Sequence, residues 1–451
     1  VIEYRIHSRA LLATLLALTL MAGAATAQHT GLIEYVQTED PSFQWELTQT
    51  QELDGVTVHT LALTSQTWRG IPWTHWLTVF RPKEVKNPKS AFLFIAGGNL
   101  GSDAPRLDRT EHRVLTQVAT VTGSVAAVLN QVPNQPLFGD LHEDALISYT
   151  YEKFLAEGGD WPLLFPMAKS AAKAMDAVQQ VIAREHGQEI TEFMTAGGSK
   201  RGWTTWLSAV ADPRVKRIAP MIIDMLNTPA QMRHQLATYG GYTESIGDYT
   251  ERGIQDRMLA GEGEALLSQV DPYSWRDKLT LPKLVVLGTN DPYWTVDAAN
   301  LYFDDLKGEK HLYYQANTGH DANFGGIATI TEFYNSLVTG APFPSIQWEN
   351  NAEGQIAVRW EKAGGSASLW TATSPNRDFR DVVWTQTALE GDGNAVATLE
   401  APAEGWAACY VEVNWPGIVG MPFGLTTQMT VLPDSFPNEG TRAYDQPRAT
   451  E

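Results

Sequence analysis

The chain has 451 residues, 43% of them hydrophobic and 19% charged, an ordinary globular balance with length for a large core plus a further module. Its 33 basic residues stand against 52 acidic ones, a net charge of −19, which argues against nucleic acid and anionic membranes as partners because their phosphates would be repelled. The single cysteine, Cys409, excludes an intrachain disulfide.

Arg5 and Arg9 precede the uncharged run ALLATLLALTLMAGAA, which closes on Ala25-Thr26-Ala27 before Gln28. The run is short for a membrane span and ends in a small-x-small site. It predicts a secretory signal peptide over 1–27, cleaved after Ala27, and a periplasmic or secreted mature protein without an integral membrane span. An uncleaved N-terminal anchor is the alternative.

The next segments, VTVHTLALTSQTW and HWLTVFRP, alternate and are rich in Val, Thr and aromatic residues, and read as two antiparallel strands. SAFLFIAGG and SVAAVLNQ are short apolar runs of the kind that buried parallel strands make. Met167, Ala171, Met175, Val178 and Ile182 recur at helical steps and share one face, with Gly187 as a stop. Strands and helices then alternate: EITEFMTAG (strand), SKRGWTTWLSAVA (helix), VKRIAPMIID and LPKLVVLGTND (strands), TVDAANLYFDDL (helix), KHLYYQA (strand) and a helix over 322–337. This order predicts an α/β fold with a mostly parallel sheet over 28–341. A Gly-, Tyr- and Glu-rich stretch over about 229–276 interrupts it and reads as an inserted cap above the carboxyl edge of the sheet. Beyond Pro342-Phe343-Pro344, short alternating segments separated by Gly, Asn, Asp and Pro predict a small all-β sandwich over 345–435. The polar tail over 436–451 is predicted to be disordered.

The stretch TAGGSKRGWTTWL places Ser199 at the joint of a predicted strand and helix. A serine alcohol is a poor nucleophile unless a base, an oxyanion site and exposure are supplied, and a sharp strand–turn–helix elbow supplies the last two. Gly197 fits two positions before it, but Arg201 stands where the strict G-x-S-x-G pattern has glycine, and Gly202 comes one residue later. A phosphate loop would need another order and spacing. Asp291 lies just past the strand of LPKLVVLGTND, and His320 sits in the loop after the last strand. Ser, acid and His thus follow in hydrolase order, each beyond a predicted strand. Asp224, at the end of PMIID, is the alternative acid. The Lys200 amide and the loop of Gly97, Gly98 and Asn99 are the expected oxyanion donors, and the Lys200 side chain could add charge near the oxyanion or bind an acidic substrate. Trp161, Trp203, Tyr293 and Trp294 flank these motifs and are candidates to line a pocket. His142-Glu143-Asp144 and His320-Asp321 are local clusters without metal-ligand spacing, so neither a metal nor another cofactor is expected.

Together, GGSKRGWTTW, QVPNQPL, GTNDPYW, NTGHD and RDFRDVVW resemble the PhoPQ-activated pathogenicity-related proteins, from about Thr30 to Pro433. The resemblance implies an α/β-hydrolase fold and an envelope or exported location, and leaves the substrate undefined. Glucuronoyl esterases have a similar elbow, G-x-S-R-x-G, with glycine three residues after the serine. The expected activity is that of a serine hydrolase acting on a small-molecule or cell-envelope ester, an amide being the second choice and a peptidase the third. The reading from another class is a catalytically silent scaffold serving adhesion or signalling, since fold does not fix function. The sequence names no partner for the sandwich.

Overall fold

The computed structural model describes residues 31–351 and 354–439, so the signal-peptide reading with its Ala27 site, and the tail beyond 439, lie outside the described residues. Strands β1 (Gln44–Leu53), β2 (Val56–Trp68) and β3 (Ile71–Pro82) form an antiparallel meander. Its hairpins turn at Asp54-Gly55 and Arg69-Gly70, each with positive φ at both positions, the geometry that matches strand twist. The pattern finds β2 and β3 but not β1, which has no buried residue and so carries no apolar alternation.

Six parallel strands follow: β4 (Ser90–Ile95), β5 (Val125–Leu129), β6 (Glu192–Gly198), β7 (Val215–Met221), β8 (Lys283–Gly288) and β9 (Lys310–Gln315). The nine strands make one sheet in the order β1-β2-β3-β5-β4-β6-β7-β8-β9, antiparallel up to the β3/β5 pair and parallel beyond it. Helices Leu164–His186 and Lys200–Ala211 cover one face, and Thr110–Thr122 and Phe324–Thr339 the other. Burial on both faces is why the central strands are apolar throughout rather than alternating. Between β7 and β8 the chain leaves the sheet for a cap of short helices, from Thr228–Tyr239 to Pro272–Trp275.

One predicted helix does not form. In TVDAANLYFDDL only Ala298–Leu301 is a 3-10 turn. The side chains that would have to face outward are held elsewhere: Asp297 by His234 and Arg377, and Asn300 by the Met429 carbonyl. These tertiary bonds override the helical spacing of the apolar residues.

The C-terminal region is a sandwich of two antiparallel sheets. One holds β10 (Ile346–Asn350), β11 (Gln355–Trp360) and β14 (Asn394–Thr398). The other holds β12 (Ser366–Ser374), β13 (Thr385–Ala388), β15 (Trp406–Pro416), β16 (Pro422–Thr426) and β17 (Thr430–Leu432). Strand β15 is buried on both sides. Cys409, Val411 and Val413 pack with Ile356 and Val358 of the facing sheet, whereas Ala408 and Tyr410 join the core of the α/β region. Tyr410 lies 5.4 Å from Tyr314 of β9. The outer edge of β9 is closed by β16: Tyr314 N donates to Thr426 Oγ1 (3.1 Å), which donates to the Leu312 carbonyl (3.3 Å). The architecture is an α/β-hydrolase fold with an inserted cap and a C-terminal all-β sandwich.

Candidate active site

Strand β6 ends at Gly198 and the next helix starts at Lys200, leaving Ser199 alone at the turn with φ 57° and ψ −128°. That conformation is strained for a residue with a Cβ and persists because its neighbours fix it. Ser199 N donates to the Met221 carbonyl (2.9 Å), and Trp203 N donates to the Ser199 carbonyl (3.0 Å). Two glycines let the helix come this close. A Cβ on Gly197 would lie 2.8 Å from the Arg201 carbonyl oxygen, and one on Gly202 would lie 2.7 Å from Ile223 Cγ2 and 2.8 Å from the Met221 carbonyl oxygen. The glycine that the strict pattern puts at 201 is therefore replaced in function by Gly202.

The loops after β8 and β9 bring Asp291 and His320 to this turn. Ser199 Oγ lies 2.7 Å from His320 Nε2, and His320 Nδ1 lies 2.9 Å and 3.0 Å from the two Asp291 oxygens. Asp291 also accepts from Tyr293 N (2.9 Å), and the Tyr293 ring stacks on the imidazole with centroids 4.2 Å apart. Both ring nitrogens of His320 are thus occupied, and Asp224 is not among its partners. Asp224 is buried, and burial first, then the charges of Asp291 and Asp297, push its carboxyl up to about 8. That shift opposes the charged form that would be needed to support an imidazolium.

Lys200 and Arg201 are not free cations. Lys200 Nζ lies 3.0 Å from Asp144 and 3.1 Å from Glu143, and the Arg201 guanidinium forks onto both Glu143 oxygens at 2.6 and 2.9 Å. Burial raises the Glu143 carboxyl, but Arg201, Lys200 and the Gln135 amide outweigh it and bring it down to about 2. Asp144 also accepts from the hydroxyls of Tyr249 (3.1 Å) and Tyr293 (3.2 Å). Burial, then the Asp144 charge, holds both phenols above their usual range, so they stay neutral donors. The Lys200 side chain, expected to serve an oxyanion or an acidic substrate, is paired with two carboxylates. Sequence reasoning singles out Glu143 and Asp144 only as a local cluster with His142 and misses their pairing with Lys200 and Arg201. The signal was two cations in the first turn of a helix, where the dipole disfavours them and counter-charges are needed.

Gly97, Gly98 and Asn99 form the loop after β4. Gln131 N donates to the Gly97 carbonyl (2.9 Å) and Gln131 Nε2 to the Asn99 carbonyl (3.1 Å), so the loop is tethered by its carbonyls rather than its amides. A Cβ on Gly97 would lie 2.6 Å from Arg201 Nη2, which joins this loop to the Ser199 turn. An apolar pocket opens at Ser199 and His320 under the cap, and Trp203, Tyr293 and Trp294 line it with Met225, Met232 and Met258. Trp161 is not part of it: its ring lies under the Arg69 guanidinium, 3.5 Å away, beside Phe138.

The sandwich reaches the site through the loop before β13. Asn290, next to Asp291, donates to the carbonyls of Val382 (2.8 Å), Arg380 (3.1 Å) and Phe379 (3.4 Å). Asn317, three residues before His320, exchanges two hydrogen bonds with the Trp384 backbone at 2.8 and 3.0 Å. Arg377 pairs with Asp297 (2.9 Å), which also holds His234 of the cap (2.8 Å). Burial opposes ionisation of Asp297, but His234 and Arg377 outweigh it and hold the carboxyl far below its ordinary value. Phe436, at the start of the tail predicted to be disordered, packs on Arg377 and His234.

Among the described residues no helix is long and apolar enough to cross a membrane. The profile of the family described as PhoPQ-activated pathogenicity-related protein matches residues 32–380. The chain is 30% identical, over 96% of its own length and 96% of the relative's, to autocrine proliferation repressor protein A of Dictyostelium discoideum. Among solved structures it is similar to acetyl xylan esterase 1 from Thermoanaerobacterium sp. JW/SL YS485, with a TM-score of 0.48 and 13% identity over 68% of this chain and 91% of that one. A glucuronoyl esterase from Solibacter usitatus matches with a TM-score of 0.39 and 14% identity over 67% of this chain and 87% of that one.

Proposed function

The chain belongs to the PhoPQ-activated pathogenicity-related protein family, and from that premise we propose that it is an exported serine hydrolase that cleaves an ester through an acyl-enzyme on Ser199. One observation carries the reading: a continuous chain from Ser199 Oγ to His320 (2.7 Å) and on to Asp291 (2.9 Å) at a strained strand–helix turn. In this reading His320 takes the serine proton as Oγ attacks the carbonyl carbon, then returns it to the departing alkoxide. Asp291 fixes the tautomer and stabilises the imidazolium. Water repeats the cycle on the acyl-enzyme, so that ester and water become acid and alcohol. The Lys200 amide and an amide of the Gly97–Asn99 loop serve the developing oxyanion. The cap over 229–276 screens the bound ester from water. Export rests on the 1–27 pattern. An ester is preferred because the apolar pocket offers no run of backbone partners for a peptide.

The test is labelling of the mature protein with a fluorophosphonate, beside Ser199→Ala and His320→Ala. Labelling that vanishes in Ser199→Ala and falls at least a hundredfold in His320→Ala is the expected result. A folded, monodisperse protein that takes no label would return the reading to a scaffold that binds without catalysis.

A further inference from the structure

The pocket that opens at Ser199 has walls that the proposed reaction does not use. Its walls come from separate elements: Met225 after β7, Met232 from the helix Thr228–Tyr239, Met258 from the helix Ile254–Leu259, Leu267 and Val270 beyond it, and Trp203 one turn along the nucleophile's own helix. All six are at most 9% exposed. Apart from His320 and the neutral phenols, only Asp144 and Lys200 in this lining are ionisable, and they face each other at 3.0 Å, with the Glu143–Arg201 pair beside them completing the balance. Three buried polar atoms of the lining have no partner among the described residues: Tyr151 OH, Gln255 Oε1 and Trp294 Nε1. All three are neutral, so none of them compensates a charge.

We infer that the ester this site accepts carries an uncharged, apolar acyl group, seated among Met225, Met232 and Met258. The inference rests on Ser199 being the nucleophile, as proposed above. The reasons are physical. Burying methylenes against thioethers and aromatic rings gains free energy in proportion to area, and methionines adapt to chains of different shape. An acyl group ending in a carboxylate would be desolvated with no unpaired cation to meet it, and with Asp144 nearby to repel it.

The experiment is hydrolysis of p-nitrophenyl esters from acetate to octanoate, below their micellar limits, with the leaving group constant. We expect kcat/KM to rise about fourfold per added methylene until the pocket is filled. The hemiglutarate ester should run at least tenfold slower than the uncharged ester of equal length. Within one variant the octanoate-to-acetate ratio cancels general damage: it should fall in Met258→Gln and hold in Met258→Leu. A flat or falling series would overturn the inference, as would a hemiglutarate that outruns its neutral match. In a companion series of alkyl acetates, a rate that rises with the length of the alcohol as steeply as the first series rises with the acyl chain would do the same. Each of these leaves acetate hydrolysis, and so the proposed hydrolase, standing. Absence of both labelling and turnover of every ester would remove both.

Discussion

The turn that carries Ser199 and the loops that carry Asp291 and His320 are held by different means. The turn is built from within: β6, its helix and β7 pinch the serine, and Gly197 and Gly202 make room at contacts under 3 Å. The other two loops are bonded to each other, Asn290 N to the Thr318 carbonyl (3.0 Å) and Asn317 N to Thr289 Oγ1 (2.9 Å), and are braced from outside by amides that reach some 70 to 90 residues along the chain to backbone of the sandwich. Close packing dominates the first, and the second adds long-range polar bonds to the sandwich. The sandwich is therefore part of the framework of the site rather than an appendage to it.

The largest test of that contrast is Arg377→Ala. It leaves the Asp297 carboxylate buried with half its partners, and should cost about 3–5 kcal/mol in urea unfolding. A loss below about 1 kcal/mol would mean that the outer brace carries little. The matching break on the inner side is Gly202→Ala, whose methyl meets Ile223 and two backbone carbonyls. It should cost about 1–3 kcal/mol and slow labelling of Ser199, because the turn itself is pushed apart.

Asn317→Ala sharpens the comparison. It removes two hydrogen bonds to Trp384 without touching the core, and should lower the labelling rate about tenfold with a stability loss of only about 1–2 kcal/mol. An unchanged rate would show that His320 keeps its place without the sandwich. The last test is acid sensitivity of the inner side. The Glu143 carboxyl falls from an ordinary 4.5 to about 2 on folding, so its contribution is complete above pH 4.5 and is lost as pH falls toward 2. Stability measured across that window should flatten in Glu143→Gln; an unaltered slope would assign the acid loss to other carboxylates.

The inner half of this picture was legible in the sequence, and the outer half was not. Ser199, Asp291 and His320 each follow a run of apolar residues that can only be a buried strand, so their place at the carboxyl edge follows from local pattern. Gly197 and Gly202 carry their own meaning, since only a close approach asks for them. By contrast, nothing in the string DVVW says that its Val382 carbonyl accepts from Asn290 and its Trp384 carbonyl from Asn317. The strand there starts only at Thr385, because Val382 and Trp384 are spent on the two asparagines. The Glu143–Arg201 fork escaped for the same reason: its halves are 58 residues apart and meet only in the folded chain. The segment 295–306 misled because its apolar spacing is helical while its polar side chains serve three other elements.

The closure of β9 by Thr426 has a consequence for how the molecule comes into being. The chain is delivered from its N-terminus, whether by a ribosome or through a translocation pore, and β9 then completes the large sheet while its closing strand is still about a hundred residues behind. Through that interval the sheet offers an open row of backbone donors and acceptors, the kind of edge that recruits other chains. A protein shortened after the helix Phe324–Thr339 would keep every residue of the proposed triad and keep that edge open permanently. Its expected fate is association with its own kind rather than catalysis.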